Sequence, residues 1–314
     1  MPNARGQNED HTYLSIDLAE ERMLIHRDYL GHCFRWSHAA RLIGTSQRYR
    51  SARVLDVGCG CEVPLGKLLY SNRFIPQAYC GIDARQNMVW PEMIERGISS
   101  GKLTNWSLIS GDASAINEAD IGFIPNFVVS FEVVEHIEAD VRIRLLKNLH
   151  QLCEDGTTFL LSTPNYDSRM GPASNHVDET THVCLGSMLE ACGWKIVHQY
   201  GTFASIRDYR DRLTAEYGES GERIFNGLRE YYDSNVLATI FAPLFPEQSR
   251  NILWEVKKVG NGTPVPEKYR PFSELLRDPA AIGSPEAANT YLGSSNNWTD
   301  AAYRERLISM VEMS

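Results

Sequence analysis

Glu132, Glu135 and His136 stand at i, i+3 and i+4 in a chain of 314 residues. At a strand-to-helix corner that spacing places all three side chains on one side. Two carboxylates and an imidazole suit Mg²⁺, Mn²⁺ or a similar divalent ion. A second group lies upstream in Val54-Leu55-Asp56-Val57-Gly58-Cys59-Gly60. Its apolar run reads as a buried strand entering a glycine turn. Gly58 and Gly60 allow a sharp turn and a close backbone approach to a ligand, with no Cβ in the way. Residues Val63 to Phe74 can follow as a helix whose N-terminus faces that ligand. A dinucleotide fingerprint would need a third glycine where Val63 stands, so a nicotinamide or flavin cofactor is disfavoured.

Two further strand ends carry acids. Gly81-Ile82-Asp83 ends one predicted strand. A carboxylate there can accept both hydroxyl hydrogens of a ribose, or can simply cap a helix. Ser110-Gly111-Asp112-Ala113 ends the next. Asp112 can accept an adenine amino hydrogen or close a turn.

The elements that must position these groups alternate along the chain. Strands are predicted at 53–57, 77–83, 105–110, 126–132, 157–162, 195–200 and 252–256, with helices at 63–73, 85–97, 139–152 and 185–192. This alternation predicts an α/β fold, a doubly wound, Rossmann-like, seven-stranded and mostly parallel sheet. Residues 1–50 read as a disordered start and helices, 51–259 as the main domain, and 260–314 as a strap ending in a helix over 300–313. About 45 residues (204–249) separate the last two strands where a hairpin would need two to five. They carry many aromatics and read as a helical cap over the carboxyl edge of the sheet.

Composition bounds the function. The net charge of −9 argues against tight nonspecific binding to duplex nucleic acid. No stretch approaches the roughly 18 apolar residues of a membrane span. The polar start lacks a signal-peptide core. Seven cysteines with no C-x-x-C pair read as free thiols, and a cytoplasmic location is expected. The oligomeric state is not encoded in these features.

The D-x-G-x-G form of Asp56, Gly58 and Gly60 resembles motif I of class I S-adenosylmethionine (SAM) dependent methyltransferases. Region 53–200 is similar to the branch of ubiquinone-biosynthesis O-methyltransferases and small-RNA 3′-terminal 2′-O-methyltransferases. The likeness rests on Glu132-Val133-Val134-Glu135-His136, Ser162-Thr163-Pro164-Asn165 and His176-Val177-Asp178-Glu179. It implies SAM as cofactor. Asp56, Gly58 and Gly60, with Cys59 between them, would line the methionine end. Asp83, with Ala84 beside it, would hold the ribose. Asp112 and Ala113 would meet the adenine, and Phe131 and Glu132 would flank the transferring methyl. Neither Cys59 nor Cys61 is assigned thiol chemistry.

The resemblance further implies a divalent metal, Mg or Mn, held by Glu132, Glu135, His136 and a later histidine. His176 fits that place best, and His182 competes for it. In relatives without metal, His136 is a lone base or a packed side chain. The signature of amino-methylating relatives, Asn or Asp before Pro-Pro-Tyr or Pro-Pro-Phe, is absent after the fourth strand. The expected activity is therefore O-methylation of a small molecule with phenolic or vicinal hydroxyls, with His136 and Glu132 catalytic. A nucleic-acid end or modified nucleotide is the alternative acceptor. A non-catalytic SAM-binding scaffold is the alternative of another class.

Overall fold

A computed structural model describes residues 27–45, 51–166, 171–203, 206–232, 234–240, 242 and 249–260. Helix α1 (Arg27–Thr45) is followed by β1 (Arg53–Val57), α2 (Pro64–Ser71), β2 (Ala78–Asp83), α3 (Glu92–Ser99) and β3 (Trp106–Ser110). Then come α4 (Glu118–Ile121), β4 (Phe127–Phe131), a 3-10 turn (Val134–His136), α5 (Ala139–Leu152) and β5 (Thr158–Pro164). The chain continues as α6 (His182–Ala191), β6 (Trp194–Phe203), α7 (Ile206–Arg229), α8 (Ser234–Ile240) and β7 (Asn251–Lys258).

One seven-stranded sheet results, in the order β3-β2-β1-β4-β5-β7-β6. Strands β1 to β5 pair in parallel, and β7 runs antiparallel to both its neighbours. The mostly parallel α/β sheet expected from the alternation is present. Alternation along each strand splits the core in two. Leu55, Val57, Cys80 and Ile82 face α5 and α6, while Val54, Tyr79 and Trp106 face α1, α2 and α3. Both faces are covered, which is why these strands read as apolar runs.

Two boundaries differ from expectation. The helix expected over 85–97 begins only at Glu92, because Pro91 caps it with φ −54 and ψ 141. A residue preceding proline is steered out of the helical region, and Trp90 takes that place. Helix α6 begins at His182, three residues early, because the Thr181 hydroxyl accepts from Cys184 N. The expected helix over 300–313 and the strap lie outside the described residues.

The strand order reverses between β1 and β4, whose carboxyl ends therefore lie side by side at a switch point. Ligands of open α/β sheets bind in such a crevice. Because β6 runs parallel to β5, the 204–249 insertion leaves and re-enters the sheet at that same carboxyl edge. Helix α7 breaks at Gly218 (φ 58), and α8 packs on α1 and β6.

Candidate functional site

The turn after β1 is held to β2, where Gly58 N and Cys59 N donate to the Ile82 carbonyl at 2.7 and 3.2 Å. Gly58 (φ +71) and Gly60 (φ +70) both occupy the left-handed region. They differ in their surroundings. A Cβ on Gly58 would lie 2.2 Å from Val133 Cγ2, whereas one on Gly60 would meet nothing within 4 Å among the described residues. The turn thus presses on the 132–136 corner on one side and opens on the other. Gly60 N donates to Asp83 Oδ2 and Arg85 N to Asp83 Oδ1, both at 3.0 Å. These bonds orient the half-buried Asp83 carboxylate, and each oxygen keeps a further lone pair.

Asp56 does not line the open side. It is 1% exposed, and its Oδ2 accepts from the Tyr79 hydroxyl. Its Oδ1 is buried without a partner among the described residues. Burial raises its pKa to about 7, against the Tyr79 hydrogen bond and with the help of the Asp83 charge. Asp56 and Tyr79 therefore support the turn from beneath. Cys59 is buried, and burial pushes its thiol far above the usual range. Ala84 is exposed and Ala113 half-buried at the neighbouring strand ends. Asp112 is exposed and closes a turn, accepting from Ser114 N at 2.8 Å and Ser114 Oγ at 2.9 Å. Phe131 is turned into the core, its ring edge-on to Trp36 at 4.9 Å.

The corner after β4 departs from the one-sided arrangement read from E-x-x-E-H. Glu132 has φ +57, which reverses the chain before the 3-10 turn begins at Val134. Its carboxylate consequently joins a different set of partners. Ser162 Oγ donates to Glu132 Oε1 at 2.7 Å, and Asn251 Nδ2 donates to its two oxygens at 3.0 and 2.8 Å. Arg35 Nη1, from α1, lies 3.7 Å away and donates to Asn251 Oδ1 at 2.9 Å. Arg35 is 1% exposed. Neither Arg35 nor Asn251 carries a spacing signal, since 216 positions separate them and only the packing of α1 on the sheet brings them together.

Glu135, His136 and His176 do converge, each offering a ligand atom within 4.8 Å of the others. Glu132 is not one of this set. Glu135 is 1% exposed, with Oε2 accepting from Thr163 Oγ1 at 3.0 Å. Its Oε1 is buried without a hydrogen-bond partner among the described residues, 3.9 Å from His136 Nε2. Burial, reinforced by the Glu132 charge, holds its pKa well above the carboxylate range. The His136 and His176 rings meet edge-on at 4.9 Å. His136 Nδ1 faces the Asn175 carbonyl at 3.2 Å. A carbonyl only accepts, so Nδ1 carries the hydrogen and Nε2 keeps its lone pair. His176 Nδ1 is bonded to Glu179, whose Oε1 also accepts from Ala173 N at 2.9 Å. A carboxylate behind a ligating histidine is the usual support of a metal-bound imidazole. Burial and the neighbouring His176 lower the His136 pKa, which keeps the ring neutral. Two imidazoles and one carboxylate oxygen without a partner among the described residues fit a divalent cation. His182 does not compete. It is buried in α6, stacked on Trp254 at 5.1 Å with Nε2 on Gln199.

Residues 33–218, more than half of the chain, match the methyltransferase domain family. The chain belongs to that family. The methyltransferase domain so matched spans the glycine turn, the 132–136 corner and His176. No curated protein sequence matches the chain. Among solved structures, magnesium protoporphyrin IX methyltransferase from Synechocystis with bound SAH is 13% identical, with TM-score 0.46 over 73% of this chain and 84% of that one. A S-adenosylmethionine-dependent methyltransferase from Clostridium acetobutylicum is 13% identical, with TM-score 0.46 over 72% and 92%. The N-methyltransferase NodS from Bradyrhizobium japonicum is 12% identical, with TM-score 0.43 over 73% and 97%.

Proposed function

We propose that the protein is a SAM-dependent methyltransferase that methylates an oxygen of a small molecule bearing phenolic or vicinal hydroxyls, with help from a divalent ion. The observation that carries this reading is the shared wall between the two half-sites. Val133, inside the corner that bears Glu135 and His136, rests directly on Gly58 of the cofactor turn. An acceptor held at the corner and a cofactor held at the turn would be neighbours, and methyl transfer depends mainly on such proximity.

On the cofactor side, the open space at Gly60 would admit the methionine end and the Asp83 carboxylate would accept the ribose hydroxyls. SAM, when bound, supplies a methyl group on a positively charged sulfur. On the acceptor side, Glu135, His136 and His176 would hold Mg²⁺ or Mn²⁺, and two imidazoles also accept softer ions. Such an ion lowers the pKa of a hydroxyl bound to it. Glu132, oriented by Asn251 and Ser162, would accept a hydrogen bond from the acceptor. If no ion binds, the lone pair of His136 Nε2 would be the base for the acceptor proton.

Charge favours a small molecule over a nucleic-acid end. Residues 204–230 contain five arginines (207, 210, 212, 223, 229) against six acids (208, 211, 216, 219, 222, 230), so that stretch carries no excess of positive charge. The Glu135 oxygen, without a partner among the described residues, and the paired histidines are groups a mere scaffold does not need. Among the described residues no helix is long and apolar enough to cross a membrane. The seven cysteines form no disulfide among the described residues, and free thiols of this kind support the proposal of a cytoplasmic location.

The test is transfer of labelled methyl from SAM to a panel of catechols and phenols, with chelator and with added Mg²⁺ or Mn²⁺. Transfer that falls in chelator and returns with metal is expected. His136→Ala should lose it while binding SAH normally. Full transfer in chelator removes the ion from the reading, and absence of SAH binding removes the whole of it.

A further inference from the structure

Arg142 sits in the first turn of α5 and is 0% exposed. A guanidinium withdrawn from water must be compensated by hydrogen bonds and charge. The bonds that Arg142 makes join two separate pieces of chain. Its Nε donates to the Val134 carbonyl at 2.9 Å and its Nη2 to the Ile137 carbonyl at 3.3 Å, bracketing the turn that carries Glu135 and His136. The same Nη2 donates to the Asp178 carbonyl at 2.5 Å and lies 3.4 Å from Asp178 Oδ2. Asp178 belongs to the loop that carries His176. A second tie runs in parallel, since Val177 N and Asp178 N both donate to the Glu135 carbonyl at 2.8 and 3.1 Å.

The three ligand-bearing residues come from segments 40 positions apart, and an edge-on contact between two histidine rings does not by itself fix the spacing of three ligand atoms. Something else must set their spacing before an ion arrives. We infer that Arg142 is a positioning residue that presets the Glu135, His136 and His176 ligand set by clamping the 134–137 turn to the 176–178 loop. This rests on the reading of that set as a metal site. Arg142 reaches no reacting atom itself; it acts through the backbone carbonyls on either side of the ligands. A lysine cannot substitute, because one ammonium on a flexible stem does not span three carbonyls as a planar fork does.

The test uses the full chain and follows Mn²⁺ binding by loss of the free-ion electron paramagnetic resonance signal, with SAH affinity from calorimetry as the control. Wild type should bind Mn²⁺ and His176→Ala should not. Arg142→Met should weaken Mn²⁺ by at least about tenfold, the lower end for loss of a support behind metal ligands, with SAH affinity unchanged. Arg142→Lys should fall between. If the Met variant does not fold, the Lys variant decides: reduced Mn²⁺ affinity in a folded protein supports the clamp. Wild-type Mn²⁺ affinity in either folded variant overturns it, as does an equal loss of SAH affinity, which would mean a general structural role. Wild-type protein that binds no Mn²⁺ overturns the metal reading and this inference together. Loss confined to His176→Ala overturns the clamp alone.

Discussion

The two glycines of the first turn make opposite predictions from the same φ, and the pair Gly58→Ala and Gly60→Ala tests the cofactor reading. Each alanine enters the left-handed region, at about 1–2 kcal/mol. At Gly60 nothing more is added, since a Cβ there meets no atom of the described residues within 4 Å. A domain of this size loses about 2–4 °C of Tm per kcal/mol, so Gly60→Ala should melt about 2–8 °C lower. At Gly58 the new methyl would lie 2.2 Å from Val133 Cγ2, and such overpacking adds about 1–3 kcal/mol. Gly58→Ala should therefore be the less stable, by about 2–5 kcal/mol against wild type. Binding should rank differently from stability. If the space at Gly60 belongs to the cofactor, a methyl there displaces ligand atoms, and SAH affinity should drop at least about tenfold, or 1.4 kcal/mol. Scanning fluorimetry gives the first ranking and calorimetry with SAH the second. A folded Gly60→Ala variant that binds SAH like wild type would refute the placement of the cofactor in that space. Equal destabilisation by the two alanines would refute the steric argument.

Asp83→Ala should weaken SAM or SAH by about 1.5–3 kcal/mol, the range for hydrogen bonds to a charged group, read by calorimetry. Asn251→Ala leaves the buried Arg35 and the Glu132 carboxylate short of a partner, and should cost about 1–3 kcal/mol in urea unfolding; a change below a few tenths would show that the network relaxes. His182 is held neutral by burial, its pKa lowered from 6.5 to about 4. The unfolded chain therefore binds a proton between those values that the native one does not, and stability present above pH 6.5 is lost as pH falls toward 4. Between about pH 7 and about pH 5 this amounts to about 2 kcal/mol, so wild type should lose that much more than His182→Gln over the interval. Parallel losses in the two proteins would show that His182 titrates normally in the fold.

Much of the fold and part of the site were legible from residue order alone. Apolar runs located the strands, most clearly the parallel ones β1 to β5, because a strand buried on both faces reads as a near-continuous apolar run. Strands β6 and β7, paired antiparallel at one side of the sheet, are marked by shorter apolar stretches. The same runs located Gly58, Gly60 and Asp83, since a strand end at the carboxyl edge is defined locally. Helix ends were less legible where one residue decides them, as Pro91 does for α3 and Thr181 for α6. The grouping of Glu135 with His136 was readable from spacing, but the separation of Glu132 from them was not. It follows from one left-handed residue, Glu132, whose φ no side-chain pattern announces. Long-range partners lay furthest from the sequence. Tyr79 beneath Asp56, Asn251 and Arg35 around Glu132, and Arg142 between the two ligand loops all depend on which strands and helices become neighbours. The sequence determined which groups are available for chemistry, because side-chain type is local. The tertiary structure decided which of them share a site and which support it, because contact across the sheet depends on strand order and register, and those are set by the packing of the whole core.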